Sequence, residues 1–486
     1  MGALSFLDRE QSIAGPGYSR WLVPPAALAV HLSIGQAYAF SVFKKPLVSH
    51  FGSSEFSVAV IFSIAIVMLG LSAAFGGKWM ERNGPRKAMF VSACCFATGF
   101  LVGSLGIATK QLWLVYLGYG FIGGIGLGLG YISPVSTLIK WFPDRPGLAT
   151  GLAIMGFGGG ALIASPLSNR LLASYGSTEN LAAGLVPTWL TLGIGYFIFM
   201  MFGVFTVRLP APGWKPAGFD PSTLKQKAMQ TTANVAVDQA MKTPQFWLLW
   251  TVLFCNVTAG IGILEQAAPM VQDFFPSVTA AAAAGFVGVL SIGNMTGRIV
   301  WSSTSDVIGR KPTYMIYLGV GALMFFLLTT VGSTSLFLFV AVTVVALSFY
   351  GGGFATIPAY LKDMFGTYQV GAIHGRLLTA WSAAGVAGPA IVNIITGSQR
   401  DAGLEGAAAY RLSLLVMVGL LVVGFIANFL MRPVDPKHHF VGDTSAPEAA
   451  HRPSEQATTI DAPRREAGRS MAPGGVRAAG AEGAGA

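Results

Sequence analysis

The sequence predicts an all-α membrane protein of twelve transmembrane helices, arranged as two pseudo-symmetric six-helix bundles. Three observations predict it. Hydrophobic residues make up 53% of the 486 and charged residues only 11%, against about a quarter charged in soluble domains. Apolar runs long enough to cross a bilayer recur twelve times, and the second six repeat the first in register. The 62 glycines agree with both, because small residues let membrane helices approach closely.

A helix rises about 1.5 Å per residue, so about 20 apolar residues cross the hydrocarbon core. By that measure the first six spans cover 21–43, 55–77, 88–108, 112–139, 147–173 and 186–208. The second six cover 246–271, 279–303, 313–331, 334–360, 371–397 and 409–431. The chain divides accordingly into an N-terminal tail (1–17), a first bundle (18–208), a central loop (209–244), a second bundle (245–432) and a C-terminal tail (433–486). The N-terminus lacks the basic stretch and small-residue cleavage site of a signal peptide, so the first run reads as a retained span. The central loop, "LPAPGWKPAGFDPSTLKQKAMQTTANVAVDQAMKTP", is too polar to span, although 221–241 suits a short surface helix. From 433 onward Ala, Pro, Gly and Ser dominate and no apolar period survives, which reads as disorder. His438 and His439 in that tail read as incidental rather than metal-binding.

The basic residues set the orientation. Lys78, Arg82, Arg86 and Lys87 follow span 2, Lys140 and Arg145 follow span 4, and Arg310 and Lys311 follow span 8. Lys215, Lys225, Lys227 and Lys242 lie in the central loop. The alternate loops carry only Lys44, Lys45, Lys110, Arg170 and Arg400. The positive-inside rule then places both termini in the cytoplasm of a multi-pass cell (inner) membrane protein. The net charge of +10 therefore belongs to topology in the lipid bilayer; no nucleic-acid-binding module is present. Cys94, Cys95 and Cys255 lie in apolar runs and match no disulfide framework or metal site. The sequence shows no metal cluster, nucleophile elbow or phosphate-binding loop, which argues against an enzyme, a primary pump and any cofactor.

The repeat is visible residue by residue. "GKWMERNGPRK" (Gly77 to Lys87) follows span 2 and "SSTSDVIGRK" (Ser302 to Lys311) follows span 8. A shift of about 225 residues carries Glu81 onto Asp306, Gly84 onto Gly309, Pro134 onto Pro358, and Gly147 and Gly151 onto Gly371 and Gly375. Two similar bundles that rock against each other expose a central cavity alternately to each side. Glu81 with Arg82, and Asp306 with Arg310, are suited to latch one state by charge, and the neighbouring glycines to allow a tight turn with positive φ.

"GxxxERxGPRK", its second copy "SxxxDxxGRK" and the twelve spans resemble the major facilitator superfamily and imply its fold. Glu81 stands where that motif usually has Asp, and Pro85 where it commonly has a basic residue. "GQAYAFSVF" in span 1, "GLGYISPVSTLIKWFPDRPGLATGLAIMGFGGGA" across spans 4 and 5, and "GAIHGRLLTAWSAAGVAGP" in span 11 are similar to the oxalate/formate antiporter family. That resemblance implies transport of small organic anions. In the oxalate branch a span-8 arginine and a span-11 lysine hold the two carboxylates. Arg298 stands at the arginine position, whereas Trp381 stands at the lysine position. Tyr38 and Tyr131 match aromatic positions of the family motifs, and Tyr350 and Phe354 replace other aromatics.

Arg298, in "SIGNMTGRIVW", is the leading candidate site residue. An arginine at bilayer depth costs about 2.5–3.5 kcal/mol even on a lenient scale. Placed five residues from the inner end of span 8, roughly 8 Å deep, it either snorkels to the headgroups or pairs with a neighbouring backbone carbonyl, or it forks onto a carboxylate. His374 and Arg376 near the inner end of span 11 read as a gate, or as a titratable group and a second cation. Gln36, Tyr38, Tyr131 and Tyr350 are expected to line the cavity, with Trp381 filling space and offering an uncharged N–H. Glu265 and Gln266 in span 7 read as an outer proton or cation site, or as a solvated rim. "WFPDRPG" (Trp141 to Gly147) shapes the tight loop between spans 4 and 5. Together these point to a monomeric secondary active transporter of a small carboxylate anion, such as lactate, pyruvate or formate, working with protons or a counter-anion. An oxalate/formate-type exchanger and a non-transporting membrane anion sensor are the alternatives. Reporter fusions after residues 240 and 435 should both report the cytoplasmic side; an external signal at either overturns this topology.

Overall fold

The computed structural model describes residues 5–177, 180–219, 229–231 and 233–440. All lie in one unit, Met1–Ser445; Ala446–Ala486 and the preceding 441–445 lie outside the described residues. Twelve long helical segments follow one another. The first, α1, is a pair bent by 50°, Arg20–Ala39 and Ser41–Phe51. Then come α2 (Glu55–Asn83), α3 (Pro85–Ala108), α4 (Leu112–Trp141), α5 (Pro146–Tyr175) and α6 (Leu185–Thr206). The second half holds α7 (Pro244–Phe274), α8 (Ala280–Ile308), α9 (Arg310–Thr330), α10 (Leu336–Phe365), α11 (Val370–Asp401) and α12 (Ala407–Phe429). Ten of these are long and apolar enough to span a membrane, and the bent pair makes eleven. The remaining one, α8, is 29 residues long and carries Arg298. Among the described residues the only β pairing is an isolated bridge, Ile13 to Leu209.

Local chemistry sets the helix ends. The Thr243, Thr279 and Ser335 side chains accept from backbone N–H groups at the starts of α7, α8 and α10, satisfying donors that a helix N-terminus leaves open. Pro85, Pro146 and Pro244 occupy first turns, where a missing N–H costs nothing. At the repeat-related junctions α2–α3 and α8–α9 the chain turns through Gly84 (φ 88°) and Gly309 (φ 94°), a conformation strained for any residue with a Cβ.

The expected end of span 8 was 303; α8 instead continues to Ile308. Its polar run stays helical because hydroxyls bond back into the helix: Thr304 Oγ1 donates to the Val300 carbonyl (2.8 Å) and Ser305 Oγ to that of Ser302 (2.6 Å). Arg298 is thus ten residues from the helix end, about 15 Å at helical rise rather than about 8 Å.

The central loop also differs from expectation. Of the helix expected over 221–241, 221–228 and 232 lie outside the described residues, and among the rest only Val237–Ala240 is helical. The loop instead pairs with the α10–α11 junction. The Thr231 and Val235 N–H groups donate to the Asp363 and Phe365 carbonyls (2.8 and 2.9 Å), while Asn234 Oδ1 accepts from the Thr367 and Tyr368 N–H groups. Phe440 N–H donates to the Asn234 carbonyl (2.7 Å) and its ring stacks on Tyr368 (4.8 Å). The first residues assigned to the disordered tail, 433–440, are therefore docked. The N-terminal tail is tied down as well: the buried Arg86 guanidinium donates to the Phe6, Gln11 and Val207 carbonyls.

The two halves meet at the end that carries the basic loops, through two repeat-related contacts. Glu81, from the first half, accepts from the Gly371 N–H at the start of α11 (3.1 Å), Ser136 Oγ (2.9 Å) and Lys140 Nζ (2.6 Å). Asp306, from the second half, accepts from the Gly147 and Leu148 N–H groups at the start of α5 (2.9 Å each) and from Arg310 (2.6 Å). Each carboxylate thus sits on the positive end of a helix in the opposite bundle. Arg310 also binds Asp363 (3.1 Å). Behind these contacts the helices touch without side chains between them. A Cβ at Gly147 would overlap the Ser302 carbonyl, and one at Gly375 would overlap that of Ala73.

Both carboxylates therefore hold one arrangement of the halves. Glu81→Gln and Asp306→Asn should slow transport several-fold while leaving equilibrium ligand affinity within about threefold, because charge-assisted bonds of about 1–3 kcal/mol are lost far from the site. Complete loss of binding in a folded variant would place these residues in the site instead.

Candidate ligand site

Arg298 lies 1% exposed at the middle of α8, among aromatic side chains from both halves. It does not snorkel. Its Nε donates to Asn294 Oδ1 one turn earlier (3.1 Å) and its Nη1 to the Ile154 carbonyl of α5 (2.9 Å). Asn294 and α5 thereby fix the plane of the guanidinium. The approach to α5 requires "GFGGG": a Cβ at Gly158 would stand 3.0 Å from Arg298 Nε. Phe157, between the glycines, turns into the cage.

The cage is a connected set of rings. Phe354 lies 5.6 Å from the Arg298 guanidinium carbon and 4.5 Å from the Trp381 ring. Trp381 touches Tyr131 and Phe157 (5.4 Å each). Phe157 also meets Tyr38 (4.9 Å) and Tyr131 (5.5 Å), and Tyr350 meets Phe354 (5.2 Å). The Tyr38 and Tyr350 hydroxyls, one from each half, lie 3.4 Å apart. Tyr38 is half-buried, whereas the other five rings are buried.

Three buried groups in this cage have no hydrogen-bond partner among the described residues: Arg298 Nη2, the Tyr131 hydroxyl and Trp381 Nε1. Leaving such groups unmade costs about 1–3 kcal/mol each. All three can donate, the guanidinium and the indole N–H exclusively and the phenol while it can also accept. A carboxylate, which only accepts, is their chemical complement. Among the described residues Arg298 is the permanent cation of this cage, and Trp381 stands where the resemblance to the oxalate branch implies a lysine. Arg376 does not replace that lysine: it faces the central loop, with Nη2 3.5 Å from Asp238.

The other sequence-identified residues divide in two. His374 is buried 5.8 Å from the Tyr131 ring, and both its nitrogens lack a partner among the described residues. Gln36 is turned into the first bundle, accepting from the Tyr119 hydroxyl (2.9 Å). Glu81, Asp306 and Arg310 belong to the contacts at the basic end, and Arg82 lies exposed there. Gln266 donates to Asn393 (2.6 Å), and the Glu265 side chain lies outside those described. The sequence reading missed Asn294, Phe157 and His31. Asn294 had a signal, a polar residue one helical turn from an intramembrane arginine. No groups of three or more His, Cys, Asp or Glu suited to a metal occur among the described residues.

Twelve helices in two halves around a central buried cation define a solute carrier fold. The chain belongs to the Major Facilitator Superfamily, whose family model matches residues 26–299 and 267–460. It is 27% identical to the oxalate:formate antiporter of Oxalobacter formigenes over 76% of this chain and 83% of that one. It is 25% identical to apicoplast pyruvate carrier 1 of Toxoplasma gondii over 63% of each chain. Among solved structures, the Escherichia coli fucose:proton symporter superposes with a TM-score of 0.61 at 16% identity, covering 83% of this chain and 98% of that one. The chain is a multi-pass membrane transporter, and these relatives are transporters rather than enzymes.

A ligand-binding arginine and a structural one respond differently to removal. Arg298→Met in the ligand-free protein deletes an incompletely paired buried charge, so its melting temperature should hold or rise, as for buried ions replaced by apolar side chains. A fall of several degrees in differential scanning fluorimetry would make Arg298 structural.

Proposed function

We propose that the protein carries small monocarboxylates, such as lactate, pyruvate or formate, across the cell's inner membrane by alternating access, as a monomer with both termini in the cytoplasm. The observation that carries this reading is a cage of groups able to donate to an anion: one guanidinium edge, one phenol and one indole N–H, all buried and without a hydrogen-bond partner among the described residues. A guanidinium matches a carboxylate in shape, keeps its charge at working pH and is weakly hydrated. The relatives named for oxalate and formate, and for pyruvate, support the same class.

In the arrangement described, the basic end is closed by the Glu81 and Asp306 contacts, and Tyr38 and Tyr350 meet across the halves at the cage. We assign the basic end to the cytoplasm. A carboxylate entering from the opposite face parts Tyr38 from Tyr350 and binds Arg298. Rocking of the halves then opens the basic end, with the two carboxylate-capped helix starts releasing together. Thr231, Asn234 and Val235 of the central loop and Phe440 of the tail flank this end at the α10–α11 junction.

One cation sets the selectivity. A dicarboxylate would bury a second negative charge with no lysine to meet it, at a cost of several kcal/mol. Each 1.4 kcal/mol is about tenfold in affinity. Uptake into proteoliposomes of formate, lactate, pyruvate, acetate and oxalate, with and without internal counter-substrate, tests this. Monocarboxylates should enter at least tenfold better than oxalate, and Arg298→Lys should reduce that uptake tenfold or more. Trp381→Lys should raise oxalate uptake. Oxalate carried as well as lactate or formate by the wild-type protein would refute the reading.

A further inference from the structure

His31 lies fully buried in α1, and the cage does not use it. Its Nδ1 is 2.8 Å from the Ala153 carbonyl oxygen and its Nε2 is 3.1 Å from the Tyr131 carbonyl oxygen. Carbonyl oxygens only accept. A neutral imidazole has one N–H, so it satisfies one contact and turns a lone pair toward the other oxygen. An imidazolium donates to both. Two acceptors at opposite ring nitrogens are the surroundings of a histidine that binds a second proton.

The position ties this proton to Arg298. The acceptors on α5 are consecutive: Ala153 for His31 and Ile154 for Arg298. Two glycines of "GFGGG" admit the two side chains. A Cβ at Gly156 would stand 3.1 Å from His31 Cβ, as one at Gly158 would from Arg298 at 3.0 Å. The Tyr131 ring stacks on His31 (5.3 Å, 19°), and its hydroxyl is one of the unpaired cage donors. The titratable or charged groups around His31 are Tyr131 on α4, Arg298 on α8 and, against the Tyr131 ring, His374 on α11. None is a carboxylate.

We propose that His31 is the proton site of this transporter and takes up one proton with each carboxylate. The inference rests on the carboxylate reading of the cage. With the cage empty, a protonated His31 and Arg298 would place two like charges beside consecutive carbonyls. A bound carboxylate cancels the second charge, so anion and proton favour each other, and by linkage each tightens the other equally. The proton comes from water on the side where the anion enters and leaves to water on the side where it is released. Empty and loaded sites then carry the same net charge, so the membrane potential acts equally on both. Carboxylate and proton move together as an electroneutral pair.

Equilibrium titrations of the purified protein with lactate, pyruvate and formate, followed by tryptophan fluorescence from about pH 6 to about pH 8, test this. The acids stay ionised throughout. Wild-type affinity should weaken with rising pH, approaching tenfold per unit, the limit for one linked proton. His31→Gln, which cannot carry the charge, should bind with pH-independent affinity. In proteoliposomes it should still exchange labelled for unlabelled carboxylate, which also shows that it folds, but should move no protons. His374→Gln should keep the wild-type slope. A flat wild-type profile, an unchanged slope in His31→Gln, or loss of the slope in His374→Gln overturns the assignment. Binding of no carboxylate at any pH refutes the carboxylate reading itself, whereas binding without pH dependence refutes only the proton site.

Discussion

The rest of the structure depends on a guanidinium buried in α8 between the two halves, with one edge unpaired among the described residues. Such a group costs several kcal/mol unless something offsets it. Arg298 is offset only in part: Asn294 takes Nε, the Ile154 carbonyl takes Nη1, and nothing among the described residues takes Nη2. The aromatic walls bury it and so reduce the compensation that bulk water gives an exposed guanidinium. In the proposed reading such a site is completed by an acceptor that arrives from outside. α5 and α10 bring the two halves to the same arginine, so in the proposed reading a ligand that completes it would touch both halves.

That dependence explains the small residues. Arg298 reaches α5 because Gly158 leaves room, and the halves close at the basic end because Gly147 and Gly375 do. The two latches are alike in chemistry: a carboxylate from one bundle caps the first turn of a helix in the other. They differ in their cations, Lys140 for Glu81 and Arg310 for Asp306, with Asp363 added to the second. In the proposed cycle, rotation of one bundle would break both latches in one step while Asp363, from the same half, stays with Arg310.

Much of this was legible in the sequence, and the reasons differ by element. Twelve spans and a tandem repeat follow from hydropathy and from the recurrence of Glu81 and Gly84 as Asp306 and Gly309, which are local signals. Arg298 stood out because a charge in an apolar run is rare. The depth of Arg298 was misjudged because Ser and Thr look like a helix end, whereas their hydroxyls can bond to carbonyls in the preceding turn. Phe157 and His31 could not be singled out: their roles come from packing between α1, α4 and α5, which no periodicity reports. The docking of 433–440 was hidden for the same reason, because composition described that stretch as solvent-loving while Asn234 and Tyr368 supplied partners far away in the chain.

The central claim is that the cage recognises the negative charge of a single carboxylate. Calorimetric titration of the purified protein with each transported acid and with its amide tests it most directly, as with lactate against lactamide. The amide keeps size and shape but removes the charge. The account predicts saturable binding of the acid and binding of the amide weaker by a hundredfold or more, a difference that shrinks at least tenfold in Arg298→Met because the guanidinium that meets the carboxylate is gone. Amide binding within a few-fold of acid binding in the wild-type protein would contradict it.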